Sequence, residues 1–245
     1  MNQSKQKYAI EIINLTKFYG TFKVLDRIYL KIEKGQIYGL VGPNGAGKTT
    51  LIKIACGVLK PTFGIIKIMG YDVWEEPIKA KSLIGYVPEI VNIYPSLTVL
   101  EFLRFIGKFY RIPKDTIEER IWHYMQLFNV ENYANTIIED LSKGFLRRVA
   151  LISTFIRDPR VYFLDEPFSD LDPRAIWTLR KILQEEVKKG KTVFLASHIL
   201  ELVEKVANKI AIIDKGRIIA SGDLKDLKES TGKAETLEEI FLKLT

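Results

Sequence analysis

Cysteine is almost absent: Cys56 stands alone in 245 residues. No internal disulfide is possible, which excludes the stapled scaffolds of small secreted proteins and points to a reducing, cytosolic compartment. Histidine is equally scarce, with only His123 and His198. Long apolar runs are missing too. Lys53 and Arg157 break the best of them well short of the ~20 residues that a bilayer-spanning helix requires. Glu11 interrupts the stretch behind the polar, basic start Met1 to Lys7, so no signal-peptide core is expected, and no regulatory domain is expected beyond Thr245. Internal repeats, low-complexity tracts and long linkers are lacking. Acidic residues are outnumbered, 30 against 37 Lys and Arg, for a net charge of +7. That surplus invites nucleic acid or an anionic membrane face as a partner, but a solvated lysine-rich surface accounts for it alone. With 47% hydrophobic and 27% charged residues, the chain is an ordinary globular protein, long enough for one α/β domain with an inserted subdomain.

Against this background one segment carries specific chemistry. The apolar run Ile37 to Val41 leads into Gly42-Pro43-Asn44-Gly45-Ala46-Gly47-Lys48-Thr49-Thr50, and a helical pattern follows from Leu51 to Cys56. Strand, glycine-rich loop and helix in this order form a phosphate cradle: the glycines let backbone N–H groups turn inward, and the helix N-terminus adds positive potential. Lys48 is placed to reach the β- and γ-phosphates, and the Thr49 hydroxyl to sit on Mg²⁺. The plain alternative is a glycine-rich turn without a ligand.

A phosphate loop also serves GTPases and small-molecule kinases. Val161 to Leu164 reads as a strand buried on both faces, and it ends in Asp165-Glu166-Pro167. Asp165 suits a Mg²⁺ ligand, and Glu166 a base for the attacking water. The run Lys191 to Ala196 ends in Ser197-His198. A guanine reader is missing, because the nearest match, Asn208-Lys209-Ile210-Ala211, lacks its aspartate.

At this point the chain resembles the nucleotide-binding subunits of ATP-binding cassette transporters, over nearly its whole length. Phe18-Tyr19-Gly20 looks like the family's aromatic loop, Tyr86 to Glu89 its Q-loop, and Leu141-Ser142-Lys143-Gly144-Phe145 its signature. Ser169 to Asp172 resembles the D-loop, and His198 the switch histidine. The resemblance implies that Tyr19 stacks on adenine with Val24 near the ribose, and that Ser142, Gly144 and Asp172 serve the nucleotide across a dimer. It implies that His198 reaches the γ-phosphate or orients Glu166. Four positions depart from the pattern. Glu89 replaces a glutamine, keeping acceptor capacity near Mg²⁺ but losing a donor. Lys143 and Phe145 replace a glycine and a glutamine, and Arg147 stands where a second glutamine is frequent. Glu89, together with the helical closing segment Leu237 to Leu244, is similar to the branch serving drug, ion and polysaccharide exporters.

The coarse organisation follows. Residues 1–88 and 159–245 are read as an α/β nucleotide core with a parallel sheet and an antiparallel β subdomain, and 89–158 as an inserted helical subdomain. Strands are expected at Tyr8 to Asn14, Val24 to Ile32, Gly64 to Met69 and Ile210 to Asp214. Helices are expected from Thr98, with Glu101 completing a capping box, from Pro113 to Phe128, from Ser142, and from Pro173 to Lys189. Phe102, Phe105 and Phe109 share one helical face, read as subdomain core rather than a contact stripe. Trp74, Trp122 and Trp177 are read as packing, and His123 as structural or surface. The function expected is an ATP- and Mg²⁺-dependent ATPase that dimerises across ATP with itself or a homologous cassette. It would drive an integral membrane permease from the cytoplasmic face, for export, with no nucleic acid as partner. A soluble cassette ATPase acting on DNA or the ribosome, and a weakly hydrolysing regulatory cassette, remain as alternatives.

Overall fold

The structure, a computed structural model, describes residues 7–230 and 236–245; the polar start at residues 1–6 lies outside them. The chain opens with β1 (Tyr8–Tyr19) and β2 (Phe22–Glu33), followed by β3 (Ile37–Val41), α1 (Lys48–Ala55), β4 (Phe63–Ile68) and β5 (Tyr71–Asp72). Next come α2 (Pro77–Ser82), β6 (Ile84–Val87), α3 (Val99–Phe109), α4 (Lys114–Phe128) and α5 (Lys143–Phe155). The chain closes with β7 (Val161–Asp165), α6 (Pro173–Lys188), β8 (Thr192–Ser197), α7 (Leu200–Val206), β9 (Lys209–Asp214), β10 (Arg217–Gly222), α8 (Leu224–Ser230) and α9 (Leu237–Leu244).

Two sheets result. A four-stranded antiparallel sheet has the order β2-β1-β4-β5, and a six-stranded sheet the order β10-β9-β3-β8-β7-β6. In the larger sheet only the β9–β10 hairpin is antiparallel. Its central strands are buried on both faces, which is why they are continuous apolar runs in sequence. Side chains alternate between two cores. Tyr162 and Leu164 of β7 and Val193 and Leu195 of β8 pack toward the helices α3 to α6. Val161, Phe163, Phe194 and Ala196 face α1 and the antiparallel sheet, where Cys56 is a buried free thiol.

The first strand runs on to Tyr19, past the expected end at Asn14, which adopts φ 51° where the pairing shifts between Ile12 and Leu15. A β-bulge of this kind kinks a strand without ending it. Between β6 and β7 the regular structure is helical. The Thr98 side chain accepts from the Glu101 backbone N–H, and Glu101 accepts from the Thr98 N–H, a complete capping box. Ser142 caps α5 and Asp172 caps α6 through their side-chain oxygens.

Two packing expectations need correction. Of the aromatic stripe on α3 only Phe102 is buried, while Phe105 is 40% and Phe109 67% exposed. Their rings continue outward from Tyr94, at 5.3 Å from Tyr94 to Phe105, 6.2 Å to Phe109 and 5.2 Å on to Tyr110. Trp177 is likewise 59% exposed, with Lys181 Nζ 5.6 Å from its ring centroid. Helical spacing places residues on one face, but cannot say what covers that face.

Removal of the α3 cap by Thr98→Ala is expected to cost ~0.5–2 kcal/mol, read in urea as a lower midpoint at unchanged slope. Phe109→Ser should stay within about 0.5 kcal/mol of wild type, as a surface substitution does.

Candidate functional site

Parallel register brings the motifs together. Val41 pairs with Ser197, Asp165 with Ala196, and Val87 with Leu164. The phosphate loop, the Asp165-Glu166 pair, Ser197-His198 and the Glu89 segment therefore emerge side by side at the carboxyl edge of the sheet, where ligands of open α/β sheets bind. A cleft of about 400 Å³ lies there, lined by Tyr19, Val24, Asn44, Gly45, Gly47, Lys48, Thr49, Thr50, Glu89 and Glu166.

The phosphate loop turns into α1 at Gly47, with φ 106° and a Cβ position only 2.7 Å from Leu25 Cδ2 and 3.1 Å from the Val24 carbonyl. Any side chain would be both strained and crowded, so the loop closes against β2 only with glycine. Gly42, Pro43 and Ala46 do not line the cleft: Gly42 and Ala46 are buried and Pro43 is exposed. Lys48 Nζ donates to the Gly42 carbonyl at 2.7 Å and the Pro43 carbonyl at 3.1 Å. Burial pushes its pKa down, opposed by Glu166, Asp165 and Glu89. An ammonium held on weak neutral acceptors beside three carboxylates is poised for a phosphate oxygen.

Asp165 is fully buried, and neither carboxylate oxygen has a hydrogen-bond partner. Burial pushes its pKa up to about 6, with Glu89 and Glu166 adding to the rise. The Thr49 hydroxyl pulls the other way without making a hydrogen bond of ordinary geometry to it; that hydroxyl donates to Glu89 Oε2 at 3.4 Å. An orphaned buried carboxylate next to a hydroxyl and a second carboxylate fits a hard cation. Among the described residues no cluster of three or more His, Cys, Asp or Glu is arranged to hold a metal. Asp165 and Glu89 are the kind of donors that Mg²⁺ takes, one or two carboxylates with a shell completed by substrate phosphates and water.

Glu166 follows Asp165 with φ 48°, an uncommon conformation for a residue with a side chain. It is held there by the end of β8: Ser197 Oγ donates to Oε2 at 3.0 Å, the His198 backbone N–H to Oε1 at 3.0 Å, and His198 Nδ1 lies 2.9 Å from Oε1. It thus stands in the cleft with its carboxylate orientation fixed by the end of β8. Ser197 was not singled out from sequence as a site residue. The signal was available, because pairing Asp165 with Ala196 sets Glu166 beside Ser197.

Tyr19 is half exposed at the end of β1, with Lys17 Nζ 5.2 Å from its ring centroid. Ser142, Gly144 and Asp172 do not line this cleft. Ser142 is exposed, with its hydroxyl accepting from the Phe145 N–H at 3.4 Å. A Cβ at Gly144 would lie 2.6 Å from the Asp170 carbonyl, so α5 meets the segment after β7 only through glycine. The Asp172 carboxylate accepts from the Ala175 N–H at 2.9 Å and pairs with Arg148. Phe145 packs on Tyr133 at 4.2 Å between centroids, with the Arg148 guanidinium 4.7 Å from its ring.

The chain is similar to known proteins over most of its length. Residues 25–169 match the family model described as ABC transporter. The Nod factor export ATP-binding protein I of Cupriavidus pinatubonensis is 34% identical over 229 residues, which span 94% of this chain and 70% of that protein. A solved ATP-binding subunit of an ABC transporter superposes with a TM-score of 0.92 at 31% identity, covering 96% of this chain and 99% of the other. The dimeric post-hydrolysis state of the ATP-binding cassette MJ0796, bound to ADP and Pi, gives a TM-score of 0.78 at 25% identity, covering 88% and 98%. The chain belongs to the ABC transporter family, as one of its ATP-binding, ATP-hydrolysing subunits.

Proposed function

We propose that this chain hydrolyses ATP at the cytoplasmic face of a membrane to drive export through a separate permease, working as a dimer that encloses ATP between protomers. The observation that carries the chemistry is Glu166, held by Ser197 and His198 in the same cleft as Lys48 and Thr49. In this reading Tyr19 stacks on adenine, Val24 borders the ribose, and Gly42 to Thr50 wrap the phosphates. Thr49, Asp165 and Glu89 hold Mg²⁺, which neutralises charge on the phosphates when bound. Glu166 accepts the proton of the attacking water, and His198 steadies its carboxylate.

The dimer reading is supported by the placement of Ser142 and Gly144 away from the chain's own cleft, and by a similar cassette that is itself dimeric. The export reading is supported by a relative that takes part in Nod factor export; the cargo of this chain is not inferred from that name. Residues 89–158 act as a helical subdomain around one end of the site. The aromatic ladder from Tyr94 to Tyr110, with Ile90 72% exposed, leaves an apolar face of the kind that a protein partner covers. No helix among the described residues is long and apolar enough to cross a membrane, so a membrane task requires such a partner.

Glu166→Gln is expected to keep ATP binding and lose ~10²–10⁴ in turnover, accumulating as an ATP-bound dimer in sedimentation. Near-normal steady-state hydrolysis would sink the base assignment. Lys48→Ala should instead lose nucleotide affinity, on the order of the 1.5–3 kcal/mol of a hydrogen bond to a charged group, in a fluorescent-nucleotide titration. Ser142→Ala, or a bulky residue at Gly144, should abolish hydrolysis while leaving ATP affinity of the monomer nearly intact. Equal loss of both, or of neither, would show that this loop completes no second site. Tyr94→Glu and Ile90→Glu should spare hydrolysis by the isolated chain and abolish transport in vesicles containing the permease. Transport at the wild-type rate would remove the docking face.

A further inference from the structure

Arg147 is a buried charge with no part in the chemistry described above. It sits early in α5, 3% exposed, and no carboxylate among the described residues forms an ion pair with it. Its guanidinium donates instead to two successive backbone carbonyls, Nη1 to Pro88 O at 2.6 Å and Nη2 to Glu89 O, while its Nε lacks a partner. Burial pushes its pKa down, and the acidic groups around the cleft, Asp170, Asp165, Glu89 and Glu166, push it back up. A buried cation satisfied mainly by neutral oxygens is costly, so its position calls for a reason. The fork of the guanidinium supplies one. Two nitrogens held apart in one plane span two consecutive carbonyls, whereas lysine is a point charge and glutamine donates from one nitrogen.

The segment held in this way is the one that meets the nucleotide site, because Glu89 accepts from the Thr49 hydroxyl at 3.4 Å. On its other side, α5 is fastened to the loop after β7, by Gly144 against the Asp170 carbonyl and by the Arg148–Asp172 pair. The exposed start of the same helix carries Ser142 and Lys143. A chain of direct contacts therefore runs from Thr49 through Glu89 and Arg147 into the helix whose first turn faces outward.

We propose that Arg147 is a positioning residue that couples the two nucleotide sites of a dimer: it ties the Pro88–Glu89 backbone to α5, so the presentation of Ser142 and Gly144 to the partner depends on what Thr49 and Glu89 contact in their own site. The proposal rests on the dimer reading given above. It explains why a bidentate cation occupies a position where no carboxylate pairs with it directly. A contiguous path is not coupling until two states respond to it, so the test measures coupling directly.

The experiment uses the full chain and Mg²⁺-ATP. Wild type is expected to show a Hill coefficient approaching 2, roughly the number of sites, and Arg147→Ala one near 1. In the Glu166→Gln background, adding Arg147→Ala should raise the ATP concentration needed for dimerisation by at least about fivefold, the lower range of allosteric coupling. Affinity of the dilute monomer for a fluorescent ATP analogue should change less than about twofold, a separation that simple misfolding would not produce. Neither Arg147→Lys nor Arg147→Gln should restore cooperativity. If Arg147→Ala does not fold, the Lys and Gln variants carry the same readouts. Should Glu166→Gln fail to dimerise with ATP, the dimer reading falls and this role with it. A dimer that forms at the same ATP concentration with and without Arg147, or a parallel loss of monomer affinity, overturns the role of Arg147 alone.

Discussion

The hydrogen-bonding register of β6, β7, β8 and β3 is the constraint from which the site follows. Because these strands run parallel and in step, Val87, Leu164, Ala196 and Val41 end near one level. The residues that come next, however distant in sequence, enter one cleft. A slip of one residue in any pair would exchange the two faces of that strand between the two cores. The alternation of Tyr162 and Leu164 with Val161 and Phe163 forbids the slip, since each set fills a different packed layer. The core thus holds the geometry of catalysis: packing sets register, and register sets which side chain stands beside Glu166.

Electrostatic poise comes from what this geometry leaves unpaired. Asp165 has no hydrogen-bond partner, Lys48 rests on backbone carbonyls, and Arg147 rests on two more. Each group pays desolvation without a matched ion pair. Pairing Lys48 directly with Asp165 would stabilise the empty protein and weaken its hold on phosphate and metal. By contrast, charges remote from the cleft are conventionally paired, as with Asp26 and Arg217 or Arg104 and Glu118. Buried atoms elsewhere, such as Arg157 Nε, also lack partners, but the unpaired carboxylate and the ammonium held only by carbonyls stand where a polyanion and a cation would complete them.

Much of this was legible in the sequence, for reasons that differ by element. The phosphate loop and the strand ends are local patterns whose chemistry needs particular residues at fixed spacing, so Gly42 to Thr50 and Asp165-Glu166 could be read directly. The capping box at Thr98 and Glu101 is equally local. Less was legible where the answer depends on neighbours. The short helices α2, α7 and α8 carry too few turns for a period to show. Ser197 gains its role only through the strand beside it. Phe105 and Phe109 satisfy the same spacing as a core stripe, yet the fold supplies nothing to bury them. The departures at Phe145 and Arg147 carry no local sign of what they touch; in the structure one is a ring packed between Tyr133 and Arg148, the other a brace on the Pro88–Glu89 backbone.

The division of labour within α5 bears on how one chain could serve two sites. Its first turn is capped by Ser142 and leaves Ser142 and Lys143 exposed. Gly144 in that same turn, and Arg147 and Arg148 in the next, lie against the loop after β7 and the segment after β6. One face of the helix is therefore tied to this protomer's backbone carbonyls and to Asp172, while its tip is exposed. The close approach at Gly144 matters because Asp170 adopts φ 63° there, leaving its carbonyl turned into the helix. A helix fastened at two points moves as a body with the strands that hold it. Strand ends that respond to phosphate and metal would then move the tip as well, and the same contacts that shape one cleft would set the alignment of the next.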